Sequence, residues 1–232
     1  MRAPRSERRP RPDFAAVPAR PAVSAGRRIV AAVRIVAGLA LLATIVAQIA
    51  DELAHGVLLA DRYFVYFTIQ TALIDVVVLL AGGWWARRRP RDTVLLTTVA
   101  MCTVGYAVVT TVVYNALLRG IVVEGYVPPD WMNEVLHVVI PTLLIVDWIV
   151  APGRARLRWR AAWWVLVYPL AWILLTMIRG AIDGWYPYPF LEPDGPNGIP
   201  GVVAYIAGLA LAMLGLAFLA VRRTRSVART AA

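Results

Sequence analysis

Six apolar runs, each close to twenty residues, alternate along the chain with polar and charged connections. An α-helix rises 1.5 Å per residue, so about 20 apolar residues cross a hydrocarbon layer about 30 Å thick. The pattern predicts transmembrane helices over about 29–50, 63–86, 94–118, 132–151, 163–181 and 201–221. The expected fold class is therefore all-α: a polytopic membrane protein whose single domain, 29–221, is a six-helix bundle. The first run is longer than the roughly 7–15-residue core of a secretory signal and lacks a clear cleavage site, so it reads as a span. Residues 1–28 hold eight Arg and five Pro with little apolar content and read as a disordered basic tail; 222–232 read as a second basic tail.

One run breaks the apolar rule early. Tyr63 to Asp75, YFVYFTIQTALID, carries Thr68, Gln70, Thr71 and Asp75 at depths where lipid offers no hydrogen bonds. Polar side chains so placed face a protein interior or a wet cavity. The last connection, GWYPYPFLEPDGPNGIP over 184–200, is too rich in Pro and Gly for a helix and predicts a structured cap along the membrane surface.

Composition supports this layout: of 232 residues 60% are hydrophobic, and the mean hydropathy is +0.65. The formal charge of +10 comes from 24 basic residues, all Arg, and these sit at segment ends rather than in a folded patch. Nucleic-acid binding is thereby excluded; the expected partners are membrane lipids, with no protein partner indicated. Arginines crowd the connections after the second, fourth and sixth runs (Arg87, Arg88, Arg89, Arg91; Arg154, Arg156, Arg158, Arg160; Arg222, Arg223, Arg225, Arg229). Acidic residues fill the others: Asp51, Glu52 and Asp61, then Glu124 and Asp130, then Asp183, Glu192 and Asp194. By the positive-inside rule both termini are cytoplasmic and the protein is a multi-pass resident of the plasma membrane. Trp84, Trp85, Trp131, Trp163, Trp164 and Trp185 fall at run ends, as interfacial belts do. Ala204 and Gly208 form one small-xxx-small pair that would allow close helix packing. The lone Cys102 supports neither an intrachain disulfide nor a zinc site, and no cofactor is implied.

Topology turns position into depth. Thr68 and His137 each lie five residues inside the acidic-side end of their runs, about 8 Å down, on helices running the same way. Thr110, Thr111, Tyr114, Asn115, Thr176 and Arg179 fall at the same end, and Asn133 and Glu134 share the helical face of His137. Hydroxyls, one imidazole, one guanidinium and one carboxylate are the inventory of a nucleophile, its base and an anion stabiliser. Each also has a structural reading. A membrane-helix Thr commonly bonds the carbonyl one turn back, an imidazole can be satisfied by a neighbour, and Arg179 can pair with Asp183 or reach the headgroups. Asp75, seven residues after Thr68 and on its face, is expected to be protonated or hydrogen-bonded to the third helix; Arg34 and Asp147 are expected to pair. One intramembrane His with scattered carboxylates makes no closed metal shell, so no metal is expected.

YFTIQ at 66–70, the N-x-x-x-H of Asn133 to His137 followed by Pro141 and Asp147, and GWYPYPFLE at 184–192 together resemble the androgen-induced protein family, which includes the androgen-dependent TFPI-regulating protein, and its bacterial relatives. The resemblance covers the second, fourth and fifth runs and the last loop, about two thirds of the chain. It implies an intramembrane hydrolase that uses a threonine nucleophile and a histidine on lipid esters, fatty acid esters of hydroxy fatty acids in the animal members. The family's threonine falls on Thr68 and its histidine on His137. The family's acidic residue three positions after the threonine is Thr71 here. The implied chemistry is acyl transfer from the ester to Thr68, with His137 as base. Arg179 is then a candidate to hold a carboxylate head, and Asn133, Asn115 and Tyr114 are candidates for the oxyanion. A small transporter or channel, or a non-catalytic membrane scaffold, would show a similar polar pattern.

Overall fold

The computed structural model describes residues 22–120 and 126–230, with side chains to residue 226; the expected tail up to residue 21, Glu124 and the last two residues lie outside these limits. The protein is all-α, with six helices long and apolar enough to cross a membrane and, among the described residues, no β-strand. Helix α1 spans Ala25–Ala54 and is followed by the short α2, Ala60–Tyr63. Helix α3, Phe67–Arg88, is the second span, and α4, Val94–Val113, the third, ending in a π-helical turn over Tyr114–Leu118. The fourth span joins α5, Asp130–Glu134, through a π-helical turn, Val135–Val139, to α6, Ile140–Val150. A 3₁₀ stretch, Trp159–Leu166, leads into α7, Val167–Asp183; after a 3₁₀ turn at Pro189–Leu191, α8 runs over Gly198–Thr230.

Of the boundaries that differ from the sequence expectation, three bear on how the bundle closes. Helix α1 starts inside the stretch read as tail, because the Ser24 hydroxyl caps it by accepting from the Arg27 amide and Arg27 itself is buried. The second span starts at Phe67, since the chain turns after Tyr63 and re-enters with Tyr66 extended. The last helix continues to Thr230, so residues 222–230 prolong it. At α7 the stop is Gly184, whose φ of 73° provides the left-handed C-cap that other residues adopt only with strain.

Helices α3 and α4 are the most buried spans and α7 and α8 the least. Large apolar side chains such as Leu174, Leu175, Ile182, Leu211 and Leu219 point outward, as a lipid-facing surface requires. Two cores meet along α3 and α4. One packs α1, α3, α4 and the fourth span around Leu41, Ile45, Leu79 and Leu144; the other packs α4, the 157–165 stretch and α8 around Met101, Leu157, Val165 and Val221. Close approach of α1 to α3 depends on Gly83, where an added Cβ would come within 2.9 Å of the Ala31 carbonyl oxygen. Ala204 and Gly208, by contrast, are exposed and nothing lies within 4 Å of a Cβ added at Gly208, so among the described residues this pair packs no helix. The 184–198 loop folds as a cap whose Tyr188 and Leu191 are buried, with Tyr188 stacked on Phe190.

Candidate functional site

The polar residues of α3 divide by what they touch. Gln70 serves packing: its amide donates to the Phe64 carbonyl at 2.7 Å and its oxygen accepts from the Tyr168 hydroxyl at 2.6 Å. Thr71 donates back to the helix, 2.9 Å to the Phe67 carbonyl and 3.1 Å to that of Thr68. Thr68 and Asp75 are the two left facing open space.

Thr68 stands at the wall between two cavities. The larger, about 90 Å³, lies among α3, α4, α7, α8 and the cap; its lining is almost wholly apolar, including Leu170, Ile173, Leu209 and Met213. The other hydroxyl-bearing residues in the lining, with Thr68, are Thr110, Tyr114 and Tyr188. Tyr188, which lies outside the spans, has its hydroxyl beside Thr68, and burial pushes its phenol up to about 12, so it remains a neutral O–H. The smaller cavity, about 10 Å³, is lined by Thr68, Thr71, Asp75 and Thr110 together with apolar residues of α1, α4 and the fourth span.

His137 is buried, 7% exposed, in the π-helical turn of the fourth span. The turn has a physical origin in Pro141: a proline inside a helix lacks the N–H and crowds the carbonyl four residues back, here that of His137 itself. In the widened turn the imidazole Nδ1 reaches the Asn133 carbonyl at 3.0 Å. A carbonyl only accepts, so Nδ1 carries the proton of the neutral ring and Nε2 keeps a lone pair, the tautomer a base requires. The ring stacks on Tyr114 at 3.9 Å and 12°. Tyr114 occupies the matching π-helical turn of α4, and Arg119 fastens that turn to the fourth span by pairing with Glu134 and lying over the Tyr114 ring.

Thr68 and His137 make no hydrogen bond to each other. Helix α4 packs against both of their helices, and Tyr114 is the shared element, lining the cavity with Thr68 and stacking on His137. The remaining sequence candidates separate. Asn133 contributes its backbone carbonyl rather than its amide. Asn115 is exposed and its amide donates to the Thr111 carbonyl at 2.8 Å. Arg179 does not line the cavity: it sits at the acidic-side surface between Asp183, 2.9 Å away, and Asp61, 3.1 Å away. Asp75 is 5% exposed and its Oδ1 has no partner among the described residues; the side chain neighbours Thr103 of α4. Among the described residues no group of three or more His, Cys, Asp or Glu is placed to hold a metal ion.

Arg34 and Asp147 belong to a different place, the arginine-rich end, where Arg34 makes two parallel bonds of 2.9 Å to the Asp147 carboxylate. Arg154 adds a third bond to Asp147 at 2.7 Å, and Arg27 binds Asp92 at 2.7 Å while donating to the carbonyls of Arg89 and Pro152. Sequence reading had not singled out Asp92 or Arg27, although a single acid among the arginines of 87–91 was the available signal. It had also passed over Tyr188 as a site residue. Tyr188 falls within the GWYPYPFLE stretch of 184–192, yet only the fold of the cap brings it beneath the surface. Comparison with protein-family models, with curated proteins and with solved structures gives no match.

Proposed function

We propose that this integral membrane protein is an intramembrane lipid-ester hydrolase of the androgen-induced protein type, with Thr68 as nucleophile and His137 as base. The observation that carries this reading is the cavity of about 90 Å³, almost wholly apolar in its lining, with Thr68, Thr110, Tyr114 and Tyr188 as its hydroxyl-bearing residues. Such a cavity suits an acyl chain, and its few hydroxyl-bearing residues suit the ester that terminates it. The Thr68 hydroxyl attacks the ester carbonyl, its proton passes to His137 Nε2, and the alcohol leaves with that proton as an acyl-threonine forms. Water then splits the acyl-threonine, returning a proton to Thr68 and releasing the fatty acid. Transfer to Nε2 requires one bridging water or closure on substrate, since catalytic hydrogen bonds often tighten only when substrate is bound. Tyr188 and Tyr114, which line the same cavity as Thr68, are the O–H donors that this reading assigns to the oxyanion. Asn115 and Arg179, occupied elsewhere, have no part in the step. The same reading puts both termini on the cytoplasmic face of the plasma membrane, where the arginine-rich end meets anionic headgroups.

The test is turnover of a panel of lipid esters, and labelling by a fluorophosphonate, with purified wild type, Thr68→Ala and His137→Ala. Both variants should fold and lose about 1,000-fold or more in kcat/KM. Undiminished turnover in either removes that residue from the mechanism. A second reading, ion translocation, is favoured by one observation: a further cavity of about 20 Å³ among Thr103, Arg34, Asp92, Asp147 and Arg154 lies on the arginine-rich side of Asp75. Ester turnover without ion flux in proteoliposomes separates the two.

A further inference from the structure

We infer that the occupant of the larger Thr68 cavity is a bilayer-resident long-chain ester, taken up sideways from the hydrocarbon through a gap between α7 and α8. That the occupant is a substrate rests on the hydrolase reading; the route rests on packing alone.

Helix α7 is fastened on one side only. The Tyr168 hydroxyl donates to Gln70 at 2.6 Å, the Trp172 indole donates to the Val65 carbonyl at 2.9 Å and Arg179 pairs with Asp61, so every one of these ties runs to α3 or to the turn before it. Helix α8 is held elsewhere, by α4, by the Trp159–Leu166 stretch and by the Pro189–Leu191 turn. Nothing comparable joins α7 to α8. Their backbones make no extended packing, and among the described residues no hydrogen bond or ion pair links them.

Exposure around the cavity locates the opening that results. Phe67, Val109 and Met213 in the lining are buried, and so are Tyr188 and Leu191 of the cap. Leu170 of α7 lines the same cavity and is 50% exposed, while Ile173 of α7 and Leu209 and Ala210 of α8 are half-buried. A side chain that belongs both to a cavity wall and to the outer surface marks a mouth. These four residues are apolar, and the same two helices turn Leu174 and Leu211 outward, so the mouth opens onto hydrocarbon rather than water.

Size requires such a mouth. Pockets that enclose a whole drug-sized ligand run to about 300–1,000 Å³. This cavity, at about 90 Å³, takes the ester and the first carbons of a chain, and the rest of a long chain extends outside. Through the mouth it stays among lipid tails, which are as apolar as the leucines it passes. Thr68 lies in the first turn of α3, so an ester bound there sits near the boundary of hydrocarbon and headgroups, with its tail toward mid-membrane. A water-soluble ester would instead have to pass the cap, where Tyr188 is buried and stacked on Phe190.

The experiment places the purified full chain in phosphatidylcholine vesicles carrying a small fraction of phosphatidylcholine with a diazirine halfway along one acyl chain, and maps photo-adducts by mass spectrometry. Wild type and Thr68→Ala should both carry adducts on the buried Val109 and Met213 as well as on the outward Leu219. Ala210→Trp fills the mouth and should cut the Val109 and Met213 adducts about tenfold relative to those on Leu219. Absence of the buried adducts in wild type overturns the route, as does their survival at full yield in Ala210→Trp. If Ala210→Trp does not accumulate, a short-chain, water-soluble diazirine ester decides: labelling of Val109 and Met213 in wild type as strong as from the vesicle-borne lipid means entry past the cap and overturns the route. Buried adducts together with undiminished ester turnover in Thr68→Ala remove the hydrolase and uphold the route. Turnover lost in Thr68→Ala without buried adducts in wild type does the reverse.

Discussion

The two ends of the bundle treat buried carboxylates in opposite ways. At the arginine-rich end Asp147 accepts from Arg34 and Arg154, and Asp92 from Arg27, so each carboxylate is held by charge-assisted bonds of 2.7 to 2.9 Å, although Arg154 Nε and Nη1 and Trp148 Nε1 have no partner among the described residues. At the other end Asp75 Oδ1, Thr110 Oγ1 and Thr111 Oγ1 have no partner among the described residues, and Thr68 fronts two cavities. A paired network ties α1, the 89–92 loop, the fourth span and the 151–154 loop into one arrangement. An unpaired set beside a cavity ties nothing together. The contrast sets a bonded carboxylate network at one end against cavity-lining groups at the other.

The comparison is broken most forcefully at Asp147. Asp147→Ala leaves Arg34 and Arg154 buried without their carboxylate and should cost about 3–5 kcal/mol, read from unfolding in mixed detergent micelles. If that variant unfolds with wild-type midpoint, the network is not what holds the end together. The opposite end should answer with the opposite sign. Thr111→Val keeps the shape and removes an orphaned hydroxyl, so it should stabilise the protein by about 1 kcal/mol in the same assay. A loss of stability would mean that Thr111 has a partner in the membrane.

A smaller effect sharpens the role of the large cavity. Ala210→Leu adds apolar volume to the lining and should raise stability by about 0.5 kcal/mol while weakening long-chain esters more than short ones. The chain-length dependence of KM is the measurement, and a uniform change across lengths would place the acyl chain elsewhere. Last comes Arg179, which sits in a solvent-accessible cluster with Asp61 and Asp183. Arg179→Ala should leave both unfolding midpoint and ester turnover unchanged.

The sequence by itself determined the architecture. Six runs of bilayer length dictate six helices, because backbone N–H and C=O groups in lipid must be satisfied within each segment. It also carried the depth of each polar residue, which is why Thr68 and Asp75 share a cavity and Arg34 finds Asp147 across 113 positions. Sequence decides height along the membrane normal, since rise per residue is constant.

What only the tertiary structure decided is azimuth, the direction each helix turns. Thr68 and His137 lie at matched depth, yet helix packing sets α4 against both helices and makes Tyr114 the residue that links them. Rotation about a helix axis depends on which faces pack, and Gly83 against Ala31 sets that for α1 and α3 through close backbone approach. The π-helical turns add a local rotation that no hydrophobic period reveals, although Pro141 gives a reason for one of them. The cap is the extreme case: its Pro and Gly predict irregular chain, and only burial of Tyr188 beside Thr68 makes it part of the site.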